Sequence, residues 1–142
     1  MKRPEDAEGL DFEVLRLCIE RCDPDLMLGF YADDVELSIV DADSSQTPPF
    51  ELHGRSEVAK HLRAVYGQKA SHRVERALVD EGRVTFREAC EYPDGSRVLV
   101  ETTLEISDGK IVRQVDAVTR AVRADASAPE RLPDPKISGD VS

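Results

Sequence analysis

The sequence predicts an α+β domain in which helices come first and then cover one face of an antiparallel sheet. Two observations carry this. Apolar residues repeat at helical spacing through the first third of the chain, and four later segments alternate with a period of two. Three tight-turn signatures divide those four segments: Asp80-Glu81-Gly82, Pro93-Asp94-Gly95 and Ser107-Asp108-Gly109.

Leu10, Val14, Cys18 and Cys22, with Leu15 and Ile19 on the same side, make one apolar stripe and predict a first helix that stops at Asp23. Asp23-Pro24-Asp25 then opens a second helix, because Asp caps well, Pro suits the first helical position, and a further carboxylate favours the positive helix end. Its apolar residues are Leu26, Met27, Phe30 and Tyr31. Val35, Leu37 and Ile39 alternate with Glu36 and Ser38, which predicts a strand to Asp41. A loop from Ala42 to Pro49 follows, then a short strand from Phe50 to His53. Gly54-Arg55-Ser56 leads into a third helix carrying Val58, Leu62 and Val65 and ending at Gly67. The four long strands are expected over Arg73 to Val79, Val84 to Tyr92, Arg97 to Ile106 and Ile111 to Val122. Residues 1–9 are expected to be a flexible N-terminus, 10–122 the folded domain, and 123–142 a disordered tail, since that end has three prolines and almost no large apolar groups.

The chain has 142 residues, 40% apolar and 34% charged, with a net charge of −10. One domain of this size buries about two thirds of its unfolded surface and needs no metal or disulfide scaffold. Excess acid and the lack of any Lys/Arg cluster argue against nucleic acid and anionic membranes as partners. No apolar run approaches the roughly 18 residues of a membrane span, and the charged first residues do not form a secretory signal. A cytoplasmic protein is expected. Three cysteines, Cys18, Cys22 and Cys90, are an odd number and read as free buried thiols. No His, Asp or Glu set has helix-spaced metal geometry, so neither a metal nor another cofactor is expected.

Three stretches resemble the nuclear-transport-factor-like superfamily, in its ketosteroid-isomerase and SnoaL-like polyketide-cyclase branches. They are Phe30-Tyr31-Ala32-Asp33-Asp34-Val35-Glu36-Leu37, His53-Gly54-Arg55-Ser56-Glu57-Val58 and Ser107-Asp108-Gly109-Lys110-Ile111-Val112. Together they cover about residues 10 to 122. The resemblance implies a cone, a curved sheet wrapped around a pocket that the helices close. It does not imply one activity, because this architecture hosts enzymes and pure binding proteins alike. The tyrosine and two aspartates of ketosteroid isomerases fall on Leu15, Ile39 and Thr102. Leu and Ile cannot move protons, so that mechanism is excluded. The SnoaL-like acid/base aspartate falls on Asp116, while the neighbouring histidine and tryptophan of that pattern are replaced by Gln114 and Val115.

Strand alternation gives a separate reading of the pocket. Val84, Phe86, Glu88, Cys90 and Tyr92 share the apolar face of one strand, and Val98, Val100, Thr102, Leu104 and Ile106 that of the next. On the last strand, the family alignment turns Val112, Gln114, Asp116 and Val118 inward. Glu88 is then a carboxylate in the middle of an apolar face, a setting that raises a carboxyl pKa and suits a general acid or base; a structural pairing with Arg76 is the other reading. His61 flanks the stripe of the third helix and could serve near neutral pH, whereas His53 and His72, at strand ends, are expected to be exposed.

The expected site is an apolar pocket lined by Leu37, Ile39, Phe86, Val100, Thr102, Gln114 and Val118 that holds a mid-sized hydrophobic molecule. Asp116 is the expected proton-transfer group, with Glu88 or His61 as counterpart, in a cofactor-free isomerisation, cyclisation or dehydration; the alternative is a ligand-binding or assembly domain without chemistry. A homodimer is expected through the outer sheet face, where Leu99, Val115 and Ala117 lie among Arg87, Glu101 and Arg113.

Overall fold

A computed structural model of the chain describes residues 6–7 and 10–121, with the backbone alone for Asp6, Ala7 and Ala121. The tail expected over 123–142 and the rest of 1–9 lie outside the described residues. Strands β1 (Asp6–Ala7) and β2 (Leu10–Asp11) pair antiparallel ahead of helices α1 (Phe12–Glu20) and α2 (Pro24–Leu28). Strand β3 (Tyr31–Asp41), strand β4 (Phe50–His53) and helix α3 (Arg55–Tyr66) follow. The chain then runs through β5 (Ser71–Asp80), β6 (Arg83–Glu91), β7 (Arg97–Ser107) and β8 (Lys110–Ala121). Strands β3 to β8 form one curved sheet in the order β4-β3-β8-β7-β6-β5. All pairs are antiparallel except β3 with β8, which is parallel. The fold is the α+β arrangement that the sequence predicts.

Asp11 caps α1 through its side chain, which accepts from the backbone N–H groups of Glu13 (3.1 Å) and Val14 (3.4 Å). The helix therefore begins at Phe12, and its buried stripe is Phe12, Leu15, Cys18 and Ile19. This corrects the predicted stripe: Leu10 lies in β2, and Val14, at the margin of the buried face, is 45% exposed. Asp23 caps α2 as expected, accepting from the Leu26 N–H at 3.2 Å. Tyr31 is not helical. It opens β3 as the register partner of Ile111.

Each predicted turn joins two strands of the meander. Between β7 and β8, Asp108 and Gly109 both have positive φ (53° and 75°), the geometry of a hairpin turn whose twist matches its strands. At the start of α3, Gly54 has φ 88° while its N–H donates to the Val35 carbonyl at 2.8 Å. An added Cβ would meet nothing closer than the Asp33 carbonyl at 3.7 Å, so there is room for it but the backbone conformation is wrong. Gly54→Ala is expected to lower stability by about 1–2 kcal/mol; equilibrium urea unfolding measures it, and an unchanged midpoint would show that the local backbone relaxes.

Inner-face parity is as predicted on β6 and β7: Val84, Phe86, Glu88, Cys90, Thr102, Leu104 and Ile106 are all buried. On β8 it is not uniform. Glu105 pairs with Arg113 but the next residue, Ile106, pairs with Ile111, so Val112 is a bulge residue. The bulge brings Ile111, fully buried, onto the same face as Gln114. Val112, predicted inward, is the residue displaced.

Candidate functional site

The curved sheet and the three helices enclose a cavity of about 310 Å³. Its walls include Ile39, Phe86, Val100, Thr102, Gln114 and Val118, as expected. Leu37 is the exception. It is buried in the core between its register partners Leu52 and Gln114, and β3 lines the cavity on either side of it, through Tyr31 and Ile39.

Strand pairing places Asp116 between Ile39 on β3 and Thr102 on β7. Its Oδ1 accepts from Thr102 Oγ1 at 3.0 Å and from Gln114 Nε2 at 2.9 Å. Gln114 is itself held by the Tyr31 hydroxyl, which donates to its Oε1 at 2.6 Å. Tyr31 is buried, and burial together with the nearby Asp116 and Glu88 charges pushes its phenol far above the ordinary tyrosine range, so it stays a donor. That donor fixes which end of the Gln114 amide faces Asp116. Among the described residues Asp116 Oδ2 has no hydrogen-bond partner, and Asp116 lines the cavity. Burial, opposed by the two hydrogen bonds and aided by the Glu88 charge, pushes the Asp116 carboxyl up to about 6.

Glu88 also lines the cavity, and its partners differ from the pairing with Arg76 considered above. Tyr66 donates to both carboxylate oxygens, at 3.0 and 2.8 Å, and His72 Nδ1 lies 2.7 Å from Oε2. Cys90 Sγ lies 3.3 Å from the same His72 nitrogen. Arg76 instead sits at positive φ (57°) within an irregularity of β5. His72, expected to be exposed, is 5% exposed. The pattern was readable: His72 and Val74 alternate with the exposed Ser71 and Arg73, so His72 takes an inward position on β5. Tyr66 carried a similar signal: Val58, Leu62 and Tyr66 recur at i, i+4 and i+8 on one face of α3, and all three are buried.

His61 lines the same cavity and is half-buried; burial lowers its pKa, so the imidazole is neutral at pH 7. No hydrogen bond joins His61, Asp116 and Glu88 to one another among the described residues. His53 is exposed, as expected, and pairs with Glu36. Cys18 and Cys90 are buried free thiols, and Cys22 is a partly buried one. No helix among the described residues is long and apolar enough to cross a membrane.

A search of curated proteins gives no match. Among solved structures, an NTF2-like protein of unknown function from Mesorhizobium loti is 20% identical, with a TM-score of 0.65 over 76% of this chain and 87% of that one. A SnoaL-like protein of unknown function from Burkholderia thailandensis is 18% identical, with a TM-score of 0.60 over 76% and 92%. A de novo designed protein with a curved β-sheet is 19% identical, with a TM-score of 0.61 over 81% and 86%. These likenesses show the cone fold, and the designed example shows that the fold exists apart from any natural activity. The profile of the SnoaL-like domain matches residues 13–114, from the first turn of α1 to the middle of β8, and the chain belongs to that family.

Proposed function

We propose that the cavity binds a mid-sized apolar carbonyl compound and that Asp116 moves a proton on it without a cofactor. The observation that carries this reading is the asymmetric setting of Asp116. One oxygen is held by two donors, the other is bare toward an apolar cavity, and the carboxyl is pushed up to about 6. At neutral pH it is largely ionised, yet basic enough to accept a proton from a C–H next to a carbonyl. Neutral His61 supplies a hydrogen bond to the oxygen on which charge develops. A volume of about 310 Å³ lies at the small end of the range typical of ligand pockets.

The test uses bicyclic ketones such as 2-tetralone in D₂O, with exchange of the protons next to the carbonyl followed by NMR. Wild-type protein is expected to speed exchange above buffer, and Asp116→Asn to reduce that gain by roughly 10²-fold or more while ligand line-broadening persists. Binding without accelerated exchange in the wild type would instead support a ligand-binding domain.

A further inference from the structure

We propose that His72, Glu88 and Cys90 form a binding site for a divalent transition-metal ion, Zn²⁺ above all, whose open coordination position faces the cavity. This goes beyond the proton-transfer reading and does not involve Asp116.

The backbone makes the cluster. Glu88 and Cys90 are alternate residues on the inner face of β6, and His72 on β5 is the register partner of Cys90. Residues at i and i+2 on one strand, with a cross-strand partner on the next, hold three side chains on one small patch of sheet. The candidate ligand atoms all lie within 4.8 Å of one another. Nδ1 to Oε2 is 2.7 Å, Sγ to Nδ1 3.3 Å and Sγ to Oε2 3.8 Å. A tetrahedral ion with bonds of about 2.0–2.3 Å would hold such atoms roughly 3.3–3.7 Å apart. The donors therefore need to shift by less than about 1 Å to receive it.

The donor types agree with the geometry. Imidazole, thiolate and carboxylate together suit zinc, and three protein ligands leave the fourth position open. Glu88 carboxylate and Cys90 thiolate together balance the two positive charges, which makes the site acceptable in an apolar wall. On binding, the Cys90 S–H bond breaks, an S–metal bond forms and that proton leaves to solvent, while His72 ligates through an unprotonated Nδ1 as the neutral imidazole that carries its single proton on Nε2. Tyr66, donating to both Glu88 oxygens, holds the carboxylate from behind, as outer partners of metal ligands do. Ligation runs through His72 Nδ1, the ring nitrogen that faces Glu88 and Cys90; Nε2, on the other side of the ring, is buried with no hydrogen-bond partner and is not part of the site. Access runs through the cavity, which Glu88 and Cys90 both line and which extends to the exposed Arg120.

Cobalt titration of the full chain provides the test, because a Co²⁺–thiolate bond gives a near-ultraviolet charge-transfer band and four-coordinate Co²⁺ gives intense visible bands. Wild-type protein is expected to show both, and one equivalent of Zn²⁺ to abolish them. Cys90→Ser should lose the charge-transfer band, His72→Ala and Glu88→Gln should weaken Co²⁺ binding at least tenfold, and Cys22→Ser should retain the wild-type spectrum. Circular dichroism of each variant confirms that it is folded. Thermal unfolding gives a second readout that needs only wild type and Cys90→Ser: Zn²⁺ should raise the melting temperature of the first and not of the second. Absence of the charge-transfer band in the wild type, or its survival in Cys90→Ser, overturns the proposal. Neither readout involves ketone exchange, so the two ideas fail separately.

Discussion

Glu88→Ala is expected to lower unfolding free energy by about 3–5 kcal/mol, a large part of the roughly 5–15 kcal/mol margin of a typical domain. The carboxylate is the hydrogen-bond partner of the Tyr66 hydroxyl and of His72 Nδ1, and both sit in the core. Removing it leaves two buried polar groups unpaired, each costing about 1–3 kcal/mol, and opens additional empty space. Glu88→Gln keeps an acceptor for Tyr66 and should lose less than half as much. Urea unfolding in the presence of a chelator separates the two variants. A loss below about 1 kcal/mol for Glu88→Ala would mean that water from the cavity takes over the vacated hydrogen bonds.

Asp116→Asn is expected to act in the opposite direction and to make the protein more stable at neutral pH. The folded carboxyl, at about 6, lies above its ordinary value of 3.8, so between these two pH values the native state binds more protons than the unfolded chain. Stability contributed by this group is therefore full below about pH 4 and is lost as pH rises through 6. Asparagine accepts the same hydrogen bonds from Thr102 and Gln114 at Oδ1 but carries no charge to desolvate. The gain at pH 7 should be about 1–3 kcal/mol, or a melting temperature higher by roughly 3–8 °C, and it should vanish at pH 4. Melting curves of both proteins at pH 4 and pH 7 check this. An equal difference at both pH values would show that charge burial is not its origin. Read with the loss of proton exchange expected for the same variant, this would mark Asp116 as a residue kept at the expense of stability.

Strands β6 and β7 were legible because their alternation is unbroken: Val84, Phe86, Glu88 and Cys90 point one way, and Thr102, Leu104 and Ile106 meet them from the next strand. The position of Asp116 was legible through its family pattern, and the cavity wall through the same parity. The last strand was harder, because a single extra residue at Val112 reverses parity on one side of it and leaves no mark in composition. Leu37 shows a related limit, since alternation tells which face a side chain takes but not where along that face a helix stops filling the space. The Tyr66–Glu88–His72–Cys90 network joins residues 16 to 22 apart between Glu88 and its His72 and Tyr66 partners, across a strand pair and a helix. Periodicity within one element has no access to such a meeting, so Glu88 could be seen as anomalous without its partners being named.

The parallel pairing of β3 with β8 also governs the order in which this chain can fold. Leu37 lies beside Gln114 and Ile39 beside Asp116, contacts between distant parts of the sequence, whereas the β5–β8 meander closes through short hairpins. Loop closure makes such distant contacts the slow ones, so local hairpins lead and the β3–β8 seam follows. On a ribosome, the edge of β3 facing away from β4 has no partner until β8 has emerged. The hydrogen bonds Tyr31–Gln114–Asp116 span that same seam, and the Asp116 carboxyl is thus put in place by one of the last contacts to form. Until then β3 offers a bare strand edge to any neighbouring chain, which makes the interval before β8 arrives the period of greatest exposure to aggregation.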